Sequence, residues 1–437
     1  MLLIEKETSV PPWKGNDSIF AHFEQSIQAH LTDNEIPVRF VVTQSDLTGY
    51  LCELGVLSEF HHLPVQKPRS IFDFAPRKIE NRDKFNVVMI VPTGIGAEIG
   101  GHSGDAAPAA RLLAGACDTL ITHPNVVNAS DINELPENCL YIEGSVISQL
   151  IMGTVGLAKV RSNRIMLIID KHTDSRISDF AINAASAARA SIGVDCPIVM
   201  EMNPSVRMQS SYSKSGRAVG RIESVERLCD VILKNRSEYD AIALTSVINV
   251  PNEFHVGYYK HHGEIINPWG GVEAMLTHAV TMLFGVPTAH SPMLDSIDIV
   301  NLQVGVVDPR MAAEVISSSF LISILKGLHR SPRIITDKML FTHPGVLTVD
   351  DISCIVIPDG CIGLPTLAAL EQGIPIIAVR ENRNCMKNDL SKLPFSPGKL
   401  FIVDNYLEAV GIMIALKSGI SPAAVRRPIE DTKVLSC

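Results

Sequence analysis

Several features are missing from this sequence of 437 residues. No apolar run reaches the roughly 18–20 residues that a membrane-spanning helix needs. The first residues, Met1 to Glu7, lack the basic region and the longer apolar core of a signal peptide. The nine cysteines form no Cys-x-x-Cys pair, which excludes zinc ribbons and disulfide scaffolds and predicts reduced thiols. These absences together predict a cytoplasmic protein without a membrane segment.

Positive charge is also scarce, because 38 Lys and Arg residues stand against 47 Asp and Glu residues and the formal net charge is −9. This balance argues against nucleic acid or an anionic membrane surface as a partner. It leaves room for a local basic pocket that holds a small anion. With 46% hydrophobic residues, the chain is long enough for two or three domains with sizeable cores. Whether it forms a homo-oligomer is open.

Short apolar runs alternate with longer helical segments along the chain. The runs predict strands at 38–42, 87–91, 165–169, 197–200, 241–245, 334–336, 354–357, 375–379 and 400–403. The longer segments predict helices at 19–31, 106–116, 177–191, 222–234, 271–284, 310–326, 365–372 and 407–417. Continuous apolar strands between helices are typical of parallel sheets that are covered on both faces. The sequence therefore predicts an α/β fold.

An internal repeat refines this fold class. Thr122-His123-Pro124 recurs as Thr342-His343-Pro344, and the segment 160–164 resembles 379–383. This repeat predicts two duplicated Rossmann-like parallel-sheet halves that face a central cleft, with a small N-terminal α/β segment. The predicted domains are 1–83 with its linker, 84–200 as the first half, 201–300 as an intervening segment that contributes to the cleft, and 301–437 as the second half.

A glycine-rich loop, Pro92 to Asp105, follows the predicted strand at 87–91 and precedes a helix. Backbone N–H groups of such a loop can converge on an anion, and the dipole of the following helix favours negative charge. The spacing is neither that of the dinucleotide fingerprint nor that of a P-loop. A tight structural turn is the alternative. We predict ligand contacts from this loop and a candidate base within it, with these residues: Gly94, Gly96, Gly100 and Gly101 as contacts, and His102 as one of two candidates for the base.

The stretch from about Asp351 to Asn384 has a strand, a glycine-containing turn, a helix that ends near Gly373-Ile374-Pro375, and a strand that runs into Arg380-Glu381-Asn382. This order resembles the nucleotide-binding half of GT-B glycosyltransferases and UDP-sugar 2-epimerases. The resemblance implies a sugar-nucleotide transferase or epimerase, with the nucleotide held around the turn and the second strand end. The residues implied in ligand binding are Asp359, Gly360, Gly363, Arg380 and Asn382.

The whole chain also resembles a conserved family known mainly from cyanobacteria and plastid-bearing organisms, the domain of unknown function 3326. The motifs that carry this resemblance are 94–102 and Asn267 to Glu273, and they imply no activity. A Trp beside two glycines is a poor helix interior and a good cleft wall, so Trp269 and Gly270 are predicted to bind ligand. Three histidines precede this motif, but no metal-binding spacing is present, and no metal ligand is predicted.

Two further segments offer polar side chains to a ligand. Lys214 and Arg217 lie on a predicted loop and suit a phosphate or a carboxylate, although a solvated loop explains them equally well. The segment Asp170 to Asp174, which contains His172, follows an apolar strand directly, and strand ends of this kind present polar side chains to the cleft. His172 is therefore a candidate acid or base, although a lone histidine is more often structural.

Cys361 lies between a predicted strand and a predicted helix, where the helix dipole would lower the pKa of its thiol. The segment 360–365 faintly resembles the second cysteine segment of aspartate/glutamate-type racemases. The equivalent position in the first half is Ser145, which contradicts a racemase with two thiols. A lyase or isomerase that uses Cys361 alone stays an alternative.

The sequence thus predicts an enzyme that acts on a small anionic metabolite between two Rossmann-like halves, with a nucleotide-binding transferase or epimerase as the more specific hypothesis. The rival hypotheses are a cofactor-independent racemase, isomerase or lyase, and a ligand-binding regulatory protein without turnover. The residues assign no cofactor, and they do not identify the substrate.

Overall fold

The computed structural model describes residues 1–15, 17–60, 70–260, 264–296, 305–317 and 319–435. The strands of these residues, in chain order, are β1 (Leu2–Val10), β2 (Glu35–Asp46), β3 (Gly49–Ser58), β4 (Asn86–Met89), β5 (Thr119–Thr122), β6 (Asn128–Ala129), β7 (Ile132–Asn133), β8 (Cys139–Tyr141), β9 (Gly156–Ala158), β10 (Arg164–Asp170), β11 (Asp195–Met202), β12 (Arg207–Tyr212), β13 (Ala218–Glu223), β14 (Ala241–Asn249), β15 (Thr288–Met293), β16 (Arg333–Ile335), β17 (Val346–Leu347), β18 (Ile352–Pro358), β19 (Ile362–Gly363), β20 (Ile376–Val379) and β21 (Leu400–Val403).

The α-helices of the same residues are α1 (Ile19–Gln28), α2 (Ala107–Ala114), α3 (Pro124–Val127), α4 (Gly144–Ile151), α5 (Ser175–Ile192), α6 (Val225–Lys234), α7 (Asn252–Lys260), α8 (Gly270–Phe284), α9 (Ala312–Val315), α10 (Leu321–His329), α11 (Leu364–Gln372) and α12 (Tyr406–Lys417). None of them, within the part of the chain that the structure describes, is long and apolar enough to cross a membrane. Each predicted strand overlaps a strand of the structure.

The first of two large sheets has six strands in the order β21-β20-β18-β4-β5-β8, and all neighbouring strands in it are parallel. Read in chain order, this is the 3-2-1-4-5-6 arrangement of doubly wound sheets, in which the winding reverses between β4 and β18. Helices α2 and α12 pack on each other, as do α4 and α11. Val87 to Met89 are fully buried in the middle of the sheet, which explains their uninterrupted apolar sequence.

The second large sheet has ten strands and is mixed. One part is parallel and has the order β11-β10-β14-β15. The other part contains β12, β13, β1, β3 and β2, which are joined by antiparallel pairs. Strand β14 links the two parts, because its last residues, Ile248 and Asn249, pair with β12. The N-terminal strands are therefore integral to this sheet.

The predicted pair of duplicated halves is not confirmed. Strands from both predicted halves lie side by side in the six-stranded sheet, instead of forming two sheets across a cleft. Thr122 ends the buried strand β5, whereas Thr342 ends a short 3-10 helix, Lys338–Thr342, at the surface. The similarity between the two segments therefore does not reflect equivalent elements, since strands buried on both faces share an apolar composition without being duplicates. The domain boundaries at 83, 200 and 300 stay predictions.

The helix predicted at 310–326 is also corrected. The chain forms a 3-10 turn at Pro309–Met311, then α9, and begins α10 only at Leu321. Asp131 explains the interruption, because its carboxylate accepts hydrogen bonds from the Ser317 hydroxyl and from the Ile322 N–H. A carboxylate that binds the first free N–H groups of a helix stabilises its start at that point.

Candidate functional site

A cavity of about 450 Å³, here called the central cavity, is lined from both large sheets. The loops after β4, β5 and β8 form one part of its wall, and the loops after β14 and β15 form another. The starts of α8 and α10 complete the wall. Carboxyl ends of parallel strands are where α/β proteins bind their ligands, and the volume is ordinary for a small-molecule site. The central cavity is therefore the candidate functional site.

The ionisable side chains of the cavity wall are mainly carboxylates and imidazoles. They are four carboxylates and four histidines: Glu143, Glu273, Asp295 and Glu314, with His123, His255, His278 and His290. No lysine or arginine belongs to the wall within the described residues. The wall is thus rich in acids and bases and has no permanent positive charge.

Glu143 and His278 form the closest acid–base contact of the cavity wall. Glu143 follows β8 after one intervening residue, and its buried carboxylate caps α4 by accepting the N–H of Ser145 at 2.9 Å. Nδ1 of His278, from α8, lies 2.5 Å from Oε1 of Glu143. Burial by itself raises the pKa of Glu143, but the charge of His278 and the hydrogen bonds from Ser145 lower it below its ordinary value.

The Glu143–His278 pair has the arrangement of a carboxylate-supported base. Nδ1 of His278 lies within ion-pair distance of the carboxylate, although the two groups do not meet hydrogen-bond geometry, and Nε2 of His278 has no hydrogen-bond partner among the residues that the structure describes. In such a pair the carboxylate fixes the orientation of the imidazole and stabilises it when it takes a proton. His278 is the candidate base of the site.

A second contact between a carboxylate and a histidine joins Glu273 to His290. Glu273 lies on α8, the helix that also contains His278. Glu273 precedes Thr277 by one helical turn on α8, and its Oε2 lies 3.5 Å from Nδ1 of His290. Nε2 of His290 is 2.7 Å from the Ser246 hydroxyl. His290 is therefore hydrogen-bonded at Nε2, with the Glu273 carboxylate near Nδ1, which suits a fixed polar wall better than a mobile base.

Glu314 is a carboxylate of the wall whose pKa is raised, whereas the pKa of Glu143 is lowered. It is buried, and it accepts hydrogen bonds from the N–H of Ser103 at 2.7 Å and from the Tyr258 hydroxyl at 3.0 Å. Burial outweighs these bonds and raises the pKa of Glu314 to about 7. One cavity thus contains a carboxylate with a lowered pKa and another with a raised pKa, which is the usual separation between a base and an acid.

The raised pKa of Glu314 makes protein stability depend on pH. Because its folded pKa lies above the unfolded value, the contribution of Glu314 is most favourable below the unfolded pKa of 4.5 and is lost as the pH rises through about 7. We expect Glu314→Gln, which keeps the shape without ionising, to raise the free energy of unfolding by about 1–3 kcal/mol more at pH 8 than at pH 5. Urea denaturation at both pH values measures this difference. The exposed Glu134→Gln serves as the control, and equal effects of Glu314→Gln at both pH values would contradict the prediction.

The predicted glycine contacts all line the central cavity, but the structure also gives two of them a packing role. The N–H of Gly100 donates to Asp105 at 2.8 Å, so this group is not free for an anion. A Cβ at Gly100 would lie 2.7 Å from Val91, and one at Gly101 would lie 2.1 Å from the carbonyl oxygen of Ala97. The structural alternative therefore accounts for Gly100 and Gly101.

Asn382 holds this loop in place. Its buried side chain accepts the N–H of Ile99 at 2.9 Å and donates to the Ile99 carbonyl at 2.8 Å and to the Tyr406 hydroxyl. The side-chain amide of Asn382 thus makes its hydrogen bonds within the protein, whereas the resemblance to GT-B enzymes implied a contact with a nucleotide. Arg380 is exposed, and its guanidinium pairs with Asp404.

Of the predicted acid–base histidines, His102 lies behind the cavity wall. Its Nδ1 is 2.8 Å from the Tyr258 hydroxyl, and burial lowers the pKa of His102 to about 4. It is therefore neutral near pH 7 and supports Tyr258, which in turn binds Glu314. His172 lies outside the wall, with Nε2 3.0 Å from the carbonyl oxygen of Asp295. Neither histidine is placed to act on a ligand in the central cavity.

Trp269 and Gly270 line the central cavity, and the indole of Trp269 packs edge-on against His255 and Tyr258. His261 and His262, which with His255 prompted the metal hypothesis, lie outside the described residues. Within the described ranges, no group of three or more His, Cys, Asp or Glu side chains could hold a metal ion.

Lys214 and Arg217 do not reach the central cavity. They lie at the turn between β12 and β13, where Lys214 is exposed and pairs with Glu7. Arg217 is fully buried and pairs with Glu5 and Glu53. The sequence could not show this, because the three glutamates come from the distant strands β1 and β3.

Cys361 and Gly363 line a second, smaller cavity of about 140 Å³, here called the second cavity. Burial raises the pKa of the Cys361 thiol, which is the opposite of the predicted lowering. The physical reason is that Cys361 lies among apolar side chains and three residues before α11 begins, so desolvation outweighs the helix dipole. Asp359 and Gly360 line neither cavity. The hypothesis of a reactive thiol thereby loses its basis.

Sequence reasoning overlooked the central acids and bases: Glu143, Glu273, His278, His290 and Glu314. The sequence does contain an indication of Glu143, because this residue directly follows the apolar run 139–142. His172 was predicted as a site residue on similar grounds. His278 lies inside a mainly apolar helix, where a histidine is more often structural. Its role became visible only when α8 was placed against α4.

Two comparisons with known proteins bear on this site. A family model described as Protein of unknown function (DUF3326) matches residues 86–426, which include every residue of the central cavity wall. A protein of Synechococcus sp. named as an uncharacterized lipoprotein is 32% identical over 346 residues, 77% of this chain and 92% of that protein. The resemblance to the cyanobacterial family is confirmed, and the resemblance to GT-B enzymes is not. The name lipoprotein is that of the relative, and the cytoplasmic location of this chain stays a prediction.

Proposed function

This chain belongs to the family described as Protein of unknown function (DUF3326), and we propose that it is an enzyme that transfers protons on a small polar metabolite in the central cavity. The reaction class is that of an isomerase, an epimerase or a lyase. The Glu143–His278 pair is the observation that carries this proposal, because it provides an oriented base on the wall of a ligand-sized cavity.

In this reaction His278 removes a proton from the carbon next to a carbonyl group of the substrate, the electron pair moves onto the carbonyl oxygen, and Glu143 stabilises the imidazolium that results. Glu314 has a pKa of about 7 because it is buried, so it can give a proton to the substrate or receive one near neutral pH. In an epimerase or isomerase His278 or Glu314 returns the proton to carbon. In a lyase Glu314 protonates the leaving group instead.

The wall also indicates the class of substrate. Carboxylates accept hydrogen bonds from hydroxyl and ammonium groups, and they repel an anion, which no lysine or arginine of the described wall would offset. The indole of Trp269 and the ring of Tyr259 offer flat apolar faces in the same cavity. We therefore propose a neutral or cationic polar metabolite with a carbonyl group beside the reacting carbon, such as a sugar or an amino ketone, in place of the anionic metabolite that the sequence suggested.

Hydrogen–deuterium exchange tests the proposal even while the substrate is unidentified. The chain is incubated in D₂O with panels of sugars and of other neutral or cationic carbonyl compounds, and the loss of substrate C–H signals is followed by proton NMR. We expect the wild-type chain to exchange one carbon-bound proton of its substrate, and His278→Gln to abolish that exchange. His343→Gln, which changes an exposed histidine far from the cavity wall, should leave it unchanged. A ligand that stabilises the wild-type chain against heat without any exchange or turnover would favour a binding protein instead.

A further inference from the structure

The second cavity has a composition that the proposed reaction does not explain. Its wall is mainly apolar, with side chains from β2, α4 and α11, yet it also includes the guanidinium-bearing residues Arg39 and Arg217. It shares His123, Gly144 and His278 with the wall of the central cavity. Two buried arginines beside an apolar chamber need a physical explanation, because buried charges are costly unless they are paired.

Arg217 has a free edge. Its Nη1 donates to Glu5 at 3.0 Å and to Glu53, while the side chain is fully buried. Its Nε and Nη2 have no hydrogen-bond partner among the described residues. These two N–H groups form the side-on edge of the guanidinium, which matches a planar carboxylate in a two-point contact. Leaving such donors unsatisfied in the interior costs about 1–3 kcal/mol each.

Arg39 adds a positive charge that no carboxylate neutralises directly. Its Nη1 and Nη2 donate to the carbonyl oxygens of Gly271 and Thr93, each at 3.0 Å. No Asp or Glu of the described residues forms an ion pair with it, whereas Glu5 and Glu53 both pair with Arg217. Burial lowers the pKa of Arg39 to about 10, so it is still charged at neutral pH.

We propose that the second cavity is a binding site for a small organic monocarboxylate. The positive charges of Arg39 and Arg217 attract the carboxylate, and the apolar side chains enclose the rest of the molecule. A cavity of about 150 Å³ holds a molecule of the size of benzene, so the volume of about 140 Å³ limits the ligand to acids such as butyrate or benzoate. Inorganic phosphate has no apolar body to fill the chamber. The site goes beyond the proposed function, because binding there needs no proton transfer in the central cavity.

Isothermal titration calorimetry with matched probes tests this site. Butyrate and benzoate are compared with butyramide and benzamide, which have the same shape without the charge, and with inorganic phosphate. We expect one saturable site for the carboxylates, with the amides and phosphate at least about tenfold weaker. Arg39→Gln should weaken carboxylate binding about ten- to hundredfold, because a charged hydrogen-bond donor is lost. Arg39→Lys should restore part of it.

A variant that fills the second cavity tests the proposed site without changing either arginine. Ile90 lines the second cavity but not the central one, so Ile90→Phe should abolish carboxylate binding. Ile334→Phe enlarges a similarly half-buried isoleucine that lines neither cavity and should leave it intact. Equal binding of acids and amides, undiminished binding in Arg39→Gln and Ile90→Phe, or no saturable binding at all would overturn the proposal. Glu143→Gln should still bind the acids, which separates failure of this site from failure of the proposed function.

Discussion

Glutamine in place of Glu143 is expected to lower kcat about 10²- to 10⁴-fold on the substrate found by deuterium exchange. The amide cannot stabilise the imidazolium that His278 becomes when it takes a proton, and general-base catalysis contributes a factor of this size. The KM should change little, because the shape of the side chain is kept. Steady-state kinetics at several pH values measure both constants.

The fold should survive this change, since the amide oxygen can still accept the N–H of Ser145 at the start of α4. We expect a loss of about 1–2 kcal/mol in the free energy of unfolding. Glu134→Gln removes an exposed carboxylate whose partner is Arg111, and it should change neither kcat nor stability. If Glu143→Gln retained full kcat while remaining folded, the pair would not be the catalytic base.

Arg217→Met is expected to lower the free energy of unfolding by about 3–5 kcal/mol. The methionine fills much of the same space, but Glu5 and Glu53 would then be buried without a positive partner in contact. These carboxylates come from the neighbouring strands β1 and β3, so the cost falls on the antiparallel part of the ten-stranded sheet. Urea denaturation at pH 7 measures the loss.

A triple variant distinguishes unpaired charge from lost packing as the cause of the expected destabilisation by Arg217→Met. Replacing Glu5 and Glu53 by glutamine together with Arg217→Met removes the unpaired charges and should recover most of the lost stability. Arg221→Met, at an exposed position of β13, should cost little. A triple variant as unstable as Arg217→Met alone would show that packing, and not charge, is the cause.

The sequence by itself determined most of the buried parallel strands and most of the long helices. The helix predicted at 310–326 is interrupted in the structure, and strands such as β1, β3, β12, β13 and β15 were not predicted. Strands buried on both faces need uninterrupted apolar runs, so Val87 to Met89 and Ile355 to Ile357 could be identified as strands without the fold. Helix ends were also visible where local chemistry defines them, as at Gly193, which ends α5 in the left-handed conformation that favours glycine. The glycine-rich loop and Trp269 were recognisable for the same reason, because backbone freedom and ring size are properties of the residue itself.

The tertiary structure decided everything that depends on which distant segments meet. It placed β18 beside β4 and so joined the two supposed halves in one sheet. It set Cys361 in an apolar environment that raises the pKa of its thiol. It brought His278 to Glu143 and surrounded Arg217 with carboxylates from other strands. Local sequence patterns reflect backbone preference and the side on which a residue is buried, whereas a pKa or an ion pair depends on neighbours that the chain brings together only by folding.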